Sequence, residues 1–255
     1  MKKIVAVLNQ KGGVGKTTTA INLSCGLAVV GQRVLLIDLD PQGHSTIGVG
    51  AAERYEHTVQ EVLLEKLDIR RAITETETPG LSLVAANLHL DRAEQLLIPE
   101  YFREGRLKTA LVGIEDDYDF ILIDCRPTLG ILTTNALFAC SFIIVPTDMG
   151  RYSLEGFADL MDSIKAIKGH EHRDMKTFLR ILLTMYDARE AIVNEWVESQ
   201  LKDYKKLLFQ TRIRKLSGIK QAQIAEEPIM TFAPASPAAK DYQILTKEFL
   251  SLCPA

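Results

Sequence analysis

The residues most suited to chemistry form a short glycine-rich segment near the amino terminus. The segment, here called the phosphate loop, follows the apolar run at 4–8 and reads Lys11-Gly12-Gly13-Val14-Gly15-Lys16-Thr17-Thr18. Its glycines allow backbone conformations closed to other residues, so amide groups can face phosphate oxygens. Lys16 carries a charge suited to β- and γ-phosphates, and the Thr17 hydroxyl is suited to Mg²⁺. The loop therefore predicts a binding site for a nucleoside triphosphate with magnesium.

The spacing of this loop is a variant of the usual one. In Gly-x-x-x-x-Gly-Lys-Thr the first glycine would stand at position 10, where the chain has Gln10. Lys11 is a second lysine, which taken alone would be read as a solvated loop charge. The competing interpretation of the whole segment is a glycine turn between a strand and a helix. The Lys16-Thr17 pair directly after a buried strand argues against that reading.

Apolar runs alternate with helical patterns along the chain. Strands are predicted at 4–8, 33–37, 81–84, 120–123, 141–145 and 178–183. Helices are predicted at 17–30, 89–97, 101–115, 153–168 and 190–202. This alternation predicts an α/β fold with a doubly wound, mostly parallel sheet flanked by helices. Since no linker rich in Pro, Gly or Ser is found, we expect residues 1–255 to form a single domain.

Three aspartates follow predicted strands. Asp38 and Asp40 come after the second strand, and Asp124 comes after the run at 120–123. In open α/β sheets, ligands bind beyond the carboxyl ends of the strands. We therefore expect these carboxylates to share one crevice with the phosphate loop. The alternative for each is an ordinary loop carboxylate or a helix cap.

Beyond this chemistry, the sequence resembles the ParA/MinD family of ATPases, whose phosphate loop is a deviant Walker A motif with a second lysine. The stretches at 36–43 (LIDLDPQG) and 118–124 (YDFILID) look like the second carboxylate motif and the Walker B strand of that family. The resemblance implies a P-loop NTPase fold, with ATP and Mg²⁺ as cofactors. It also implies the roles of individual residues, with Lys11, Lys16 and Asp40 catalytic, and Thr17, Asp38 and Asp124 around the metal.

In this resemblance, Lys11 reaches across an ATP-dependent homodimer to the phosphates of the partner. Asp40 orients or activates the attacking water, and Asp38 supports the metal and a switch region. Intrinsic hydrolysis is expected to be slow and stimulated by a partner, because no arginine finger is evident.

Segments at 152–156, 183–189 and 228–230 resemble the chromosomal ParA, or Soj, branch of the family. The chain departs from the family at Arg126, which replaces the first of two prolines, and at 150–152 and 211–219. These departures put contacts to the base and to partners in doubt. Arg126 is interpreted either as a new dimer or partner contact or, slightly favoured, as a solvated charge at the rim.

A local basic stripe contrasts with the formal net charge of -3. Its cations stand against the single acid Asp203 and are Lys202, Lys205, Lys206, Arg212, Arg214, Lys215 and Lys220. Such residues give salt-sensitive DNA binding that does not depend on sequence. With the family resemblance, the predicted DNA contacts are Arg189, Arg212, Arg214 and Lys215. The alternative is an ordinary solvated helix face.

The resemblance implies an ATPase that dimerises with ATP, binds duplex DNA non-specifically and positions a cargo through a ParB-like or other adaptor protein. The cargo would be a chromosome, a plasmid or another cellular body, and the location would be cytoplasmic and nucleoid-associated. The alternative is a MinD-like, membrane-associated division-site ATPase. That class needs a basic amphipathic helix at the carboxyl end, whereas the charges at 238–252 balance.

A third possibility is an iron–sulfur ATPase or an ATP-dependent ligase. The chain has four cysteines, Cys25, Cys125, Cys140 and Cys253, which form no CxxC pair. Their scatter argues against a structural zinc or a shared cluster. We expect them to be reduced and mostly buried, in a cytoplasmic protein without a signal peptide or membrane span.

Overall fold

A single sheet organises the fold. The computed structural model of the chain describes residues 3–114, 116–151, 156–168 and 174–253. The strands are β1 (Lys3–Val7), β2 (Val34–Leu39), β3 (Ile73–Glu75), β4 (Leu81–Val84), β5 (Phe120–Cys125), β6 (Phe142–Asp148), β7 (Leu179–Tyr186) and β8 (Leu208–Arg214). Across the described residues they form one eight-stranded sheet in the order β3-β4-β2-β5-β1-β6-β7-β8. β3 pairs antiparallel with β4, and the other pairings are parallel.

Helices cover both faces of the sheet. The α-helices are α1 (Lys16–Val29), α2 (His44–Gly48), α3 (Val59–Leu64), α4 (His89–Leu97), α5 (Arg106–Leu111), α6 (Ile131–Ala139), α7 (Phe157–Lys168), α8 (Ala191–Gln200), α9 (Ser217–Ile224), α10 (Ile229–Phe232) and α11 (Pro237–Leu252). Short 3₁₀ turns occupy Ile69–Ala72, Arg103–Gly105, Met175–Thr177 and Lys202–Leu207. The predicted doubly wound, mostly parallel fold is thus confirmed.

Two apolar layers hold the sheet between the helices. On one face, α1 and α11 pack on the sheet, and the Phe249 ring lies 5.6 Å from Phe120 and 5.7 Å from Phe142 between ring centroids. On the other face, apolar residues of α3 to α8 form the second layer. The central strands are buried on both faces, which is why β2 and β5 are apolar apart from the aspartate in the penultimate position of each strand.

Two predicted helices differ from the observed ones. The helix predicted at 101–115 is replaced by a 3₁₀ turn and the short α5, and Gly113 turns the chain with φ +87°. Residue 115 lies outside the described residues. The helix predicted from residue 153 is observed from Phe157, and the preceding residues 152–155 of the Soj-like segment also lie outside the described ones.

The alternative interpretation of the basic stripe at 202–220, an ordinary solvated helix face, is wrong. The segment forms a 3₁₀ turn, the edge strand β8 and the start of α9. The free edge of β8 is covered by α11, because Glu248 accepts the amides of Gln210 (2.7 Å) and Thr211 (2.8 Å). Asp241 likewise accepts the amide of Arg214 at 3.1 Å. These carboxylates satisfy donors that an edge strand otherwise exposes.

No helix in the described part of the chain is long and apolar enough to cross a bilayer.

Candidate functional site

The phosphate loop lies in a crevice at the carboxyl ends of β1 and β2. The crevice has a volume of about 570 Å³, within the range of small-molecule sites. Its lining includes Gly12, Gly13, Gly15, Lys16, Thr17, Thr18, Asp40, Pro41, Gln42, His44, Arg126, Pro127, Met185 and Gln223. The loop and Asp40 therefore share one site, as their positions after strands predicted.

The loop backbone needs its glycines. Gly13 (φ +78°) and Gly15 (φ +85°) adopt left-handed conformations that favour glycine. Gly15 begins α1 with no side-chain cap, so the amides at this helix start are oriented toward a ligand position. Val14 is buried, and its carbonyl accepts the Thr184 hydroxyl at 2.9 Å, which fixes the loop to β7.

Lys16 is a buried cation at the start of α1. Its Nζ donates to the carbonyl of Lys11 at 2.9 Å. Burial lowers the pKa of Lys16, while the charges of Asp124 and Asp40 oppose that shift. A phosphate in the crevice would give this ammonium group an anionic partner, which is the function that the sequence predicts for it.

Asp38 and Asp124 stand side by side, in register on β2 and β5, and both are fully buried. Oδ2 of Asp38 accepts the amide (2.8 Å) and hydroxyl (2.9 Å) of Thr46. Asp124 accepts the Ser45 hydroxyl at 2.8 Å. Burial raises the pKa of each carboxyl group, and the charge of Asp38 raises that of Asp124 further. The pair is therefore a buried carboxylate centre with no cation bonded to it in the contacts described above.

The residues around Asp124 fit a magnesium ion. Oδ1 of Asp124 is buried without a hydrogen-bond partner, and the nearby Thr17 side chain opposes the rise in the pKa of this carboxyl. No cluster of three or more His, Cys, Asp or Glu side chains within the described ranges could hold a metal ion. Magnesium in phosphate sites commonly uses one or two protein oxygens, with phosphate oxygens and waters completing the shell. Thr17 and Asp124 would supply such oxygens.

The segment after β2 is shaped by hydrogen bonds and one glycine. The amide of Asp40 donates to Oδ1 of Asp38 at 3.1 Å, and Oδ1 of Asp40 accepts the amide of Gln42 at 3.1 Å. Gly43 has φ +65°, and a Cβ there would meet the Ala86 carbonyl at 2.9 Å. Asp38 is thus occupied in holding the Asp40 segment and α2, which is compatible with a supporting role rather than direct metal contact.

Lys11 lies beside the end of β6. Its amide donates to Asn9 Oδ1 at 3.0 Å, and its Nζ lies 3.4 Å from Oδ2 of Asp148. Asn9 in turn donates to the Pro146 carbonyl at 2.8 Å, which ties the loop to β6. The side chain of Lys11 is 32% exposed. Its role across a dimer stays a prediction.

The four residues predicted to contact DNA lie near the ends of β7 and β8, and three are ion-paired. Arg189 binds Asp187 at 2.6 Å and holds the pKa of that carboxyl at about 2. Arg212 pairs with Glu198 and lies over the Tyr186 ring. Arg214 makes a bidentate pair with Asp241, whereas Lys215 is an exposed residue. DNA binding by this set stays a prediction, and Arg214 also has a structural role.

A second pocket of about 240 Å³ adjoins the phosphate loop. Its lining includes Gly15, Thr18, Thr184, Met185, Ile213, Leu216, Ile219 and Tyr242. Arg214, Lys215, Lys220 and Gln223 complete the lining, and the apolar side chains suit a flat base. The segment at 211–219, which departs from the family pattern, thus lies next to the phosphate loop.

Sequence reasoning missed Ser45 and Thr46, which hold Asp124 and Asp38. A serine and a threonine at the start of a helix, just after the second carboxylate motif, were the available signal. The interpretation of Arg126 as a solvated rim charge is wrong, because its side chain is only 21% exposed and is paired with Asp91 and Glu94.

Comparison with known proteins gives close relatives. Residues 2–177 match a family described as an AAA domain. The chain is 39% identical over 249 residues to the sporulation initiation inhibitor protein Soj of Bacillus subtilis, covering 97% of this chain and 98% of that protein. It is 37% identical to the chromosome partitioning protein ParA of Myxococcus xanthus, covering 97% of this chain and 88% of that protein.

A solved structure from Mycobacterium smegmatis shares 32% identity and a TM-score of 0.86, covering 100% of this chain and 96% of that one. It is described as a cobyrinic acid a,c-diamide synthase with a bound ATP analogue and magnesium.

Proposed function

Because the chain belongs to the ParA/Soj family of partitioning ATPases, we propose that it is a Mg²⁺-dependent ATPase that dimerises with ATP and positions a cargo on DNA. Residues 1–255 act as a single ATPase domain. The observation that carries the proposal is the single crevice formed by the phosphate loop and Asp40, together with the fully buried Asp124 carboxylate, whose Oδ1 has no hydrogen-bond partner.

ATP is the substrate, with its phosphates along residues 11–18. Magnesium near Thr17 and Asp124 supplies positive charge to the phosphates, and Asp38 supports this position from the neighbouring strand. Lys16 binds the terminal phosphates, and Asp40 orients the attacking water at the crevice wall. The relative that was solved with an ATP analogue and magnesium supports both cofactors.

Dimerisation places Lys11 of one copy on the phosphates of the other. The position of Lys11 in the phosphate loop, partly exposed and anchored by Asn9, supports this role. A second cation at the phosphates would stabilise the charge that develops during transfer. ATP then favours the dimer because the nucleotide completes the contact between the copies.

Duplex DNA binds the cations at the β7–β8 end, led by Arg189, Arg212 and Lys215. These contacts are to phosphates, so binding is not sequence-specific and weakens with salt. A dimer presents two such surfaces on one duplex, which raises the overall affinity without a new contact. The ATP-bound dimer is therefore the DNA-bound state, cytoplasmic and associated with the nucleoid.

A ParB-like or other adaptor protein stimulates hydrolysis and links the ATPase to its cargo. The name of the Myxococcus xanthus relative, a chromosome partitioning protein, favours a chromosome as cargo. A plasmid or another cellular body would use the same cycle with a different adaptor.

The test is binding to random-sequence duplex DNA with ATP, with ADP and without nucleotide, at two salt concentrations. We expect tight, salt-sensitive binding with ATP alone, and Lys16→Ala should abolish it. DNA binding that does not depend on the nucleotide would contradict the proposed ATP-dependent switch. The absence of DNA binding in every nucleotide state would contradict the assignment of DNA as a ligand.

A ligase is the second candidate, because one relative is described as a synthase. That relative is 32% identical, compared with 39% for Soj, so the partitioning function is favoured. A ligase would consume ATP only with an acid and an amine donor present, whereas a partitioning ATPase would respond to DNA and its adaptor. The MinD-like alternative predicts binding to anionic vesicles instead of DNA.

A further inference from the structure

Arg126 occupies a wall of the crevice. It follows Asp124-Cys125 at the end of β5 and lines the same cavity as Lys16, Thr17 and Asp40. In the family that the chain resembles, this position is commonly a proline, which has neither charge nor side-chain donors. An arginine here adds a planar group of five N–H donors, a geometry suited to phosphate.

Two carboxylates of α4 hold this arginine. Nη1 of Arg126 donates to Oδ1 of Asp91 at 3.1 Å and to Oε2 of Glu94. Glu94 is closely fitted to the loop after β5, because a Cβ at Gly130 would overlap its Oε1. The pairing thus ties the outer face of helix α4 to the wall of the phosphate site.

The tether leaves the guanidinium incompletely satisfied. Nε of Arg126 is buried and has no hydrogen-bond partner. A buried donor without an acceptor is unfavourable, and more so when it belongs to a charged group. The group formed by Arg126, Asp91 and Glu94 also carries a net negative charge beside a site for an anionic ligand. Both features favour a rearrangement when phosphate enters the crevice.

We infer that Arg126 is a further phosphate-binding residue, which exchanges the Asp91 and Glu94 carboxylates for the terminal phosphate of the nucleotide. The exchange rests on the proposed function, since it needs ATP in the crevice. It places a third cation near the phosphates, beside Lys11 and Lys16. It also releases α4 from the end of β5, so nucleotide binding changes the contacts of that helix.

The exchange makes opposite predictions for the two sides of the ion pair. Arg126→Gln should weaken ATP binding by about tenfold, the size of a lost charge-assisted hydrogen bond, with little effect on ADP. Glu94→Gln should strengthen ATP binding roughly threefold, because it removes a carboxylate that competes with phosphate for Arg126. An effect of this size is expected for the loss of a partly exposed ion pair. The double variant should behave like Arg126→Gln, because the carboxylate acts only through the arginine.

The experiment is the affinity of each variant for fluorescent ATP and ADP analogues with Mg²⁺. Arg70→Gln and Asp117→Asn are matched controls, since that ion pair (3.2 Å) is exposed and remote from the crevice. The controls should bind both nucleotides as the wild type does. If the Arg126 pair only braces α4, Arg126→Gln and Glu94→Gln would both weaken binding of ATP and ADP alike, and the inference would be overturned.

A second measurement uses the unmodified protein and does not depend on the variants folding. Amide exchange in α4 should become faster when ATP and Mg²⁺ bind, and less so with ADP. Unchanged or slower exchange in α4 with ATP would contradict the release. A wild type that binds ATP but no DNA would refute only the proposed DNA function, whereas one that binds no ATP would overturn both proposals.

Discussion

Asp38 and Asp124 occupy neighbouring positions on β2 and β5, and neither has a cation bonded to it within the described residues. Burying two carboxylates together is unfavourable, which is why both pKa values are raised. The fold accepts this cost because Ser45 and Thr46 donate hydrogen bonds to the pair. A metal ion with a nucleotide would relieve the remaining repulsion, so this pair links folding to ligand binding.

At the residue scale, Lys16→Ala should reduce the affinity for ATP with Mg²⁺ by more than about a hundredfold. The variant removes the buried cation and leaves Asp124 and Asp40 without its charge. Isothermal titration with ATP would measure the loss, and the exposed Lys108→Ala would serve as the control. An affinity within a few-fold of the wild type would contradict the assignment of Lys16.

Asp40→Ala should separate binding from hydrolysis. Asp40 lines the crevice without bonding to the phosphate loop in the hydrogen bonds described above, so ATP binding should persist. Loss of an oriented water should lower the hydrolysis rate by about a hundredfold or more. The ATP-bound dimer should then accumulate, as light scattering after size exclusion would show. Hydrolysis at the wild-type rate would remove Asp40 from the mechanism.

The sequence predicted one crevice for Asp38, Asp40 and Asp124, because carboxyl ends of parallel strands meet at one edge of the sheet. In the structure Asp40 lines the crevice of the phosphate loop, whereas Asp38 and Asp124 are fully buried side by side on neighbouring strands. It did not allow the pairing of Arg126 with Asp91 and Glu94 to be predicted, because those residues lie more than thirty positions away in the chain. Such partners depend on how α4 packs, and no local pattern encodes that packing.

At the scale of elements, the buried central strands were predicted well and both edge strands, β3 and β8, were missed. β2 and β5 are short apolar runs, a pattern typical of strands buried on both faces. β8 instead alternates buried residues such as Phe209 and Ile213 with polar ones such as Gln210. Its arginines resembled a charged helix face, because the carboxylates that pair with Arg212 and Arg214, Glu198 of α8 and Asp241 of α11, lie in other elements of the chain.

The contact between α11 and β8 should contribute measurably to stability. Glu248→Ala removes the acceptor for the amides of Gln210 and Thr211 and for the Thr211 hydroxyl. Because Thr211 is buried, we expect a loss of about 2–3 kcal/mol in the free energy of unfolding. Urea denaturation would measure it, with the exposed neighbour Lys247→Ala as the control. Equal stability of both variants would show that water replaces the carboxylate.

At the scale of the molecule, a net charge of -3 means that attraction to DNA must come from one region. The arginines of that region differ in their exposure and in the structural contacts that they make. Arg189 is 88% exposed and bonds only to the neighbouring Asp187 in the contacts described, whereas Arg214 holds α11 through Asp241. Loss of DNA binding in an Arg214 variant could therefore reflect a disturbed fold.

Arg189→Ala should weaken DNA binding several-fold and lower the salt dependence by about one unit of the log–log slope, the change expected for one phosphate contact. Nucleotide affinity should be unchanged. Fluorescence anisotropy across a salt series would measure both quantities. Arg70→Ala, an exposed and similarly paired cation near β3, is the matched control. A slope equal to that of the wild type would exclude Arg189 from the DNA contact.

The carboxylates that cover β8 also limit how copies of the chain can aggregate. An uncovered edge strand can recruit another strand, and repeated head-to-tail recruitment gives fibres without a fixed end. Here an incoming strand would first have to displace Glu248 and Asp241 from the backbone amides of β8. Crowding of many copies along one polymer would therefore not by itself convert this edge into a growing fibril.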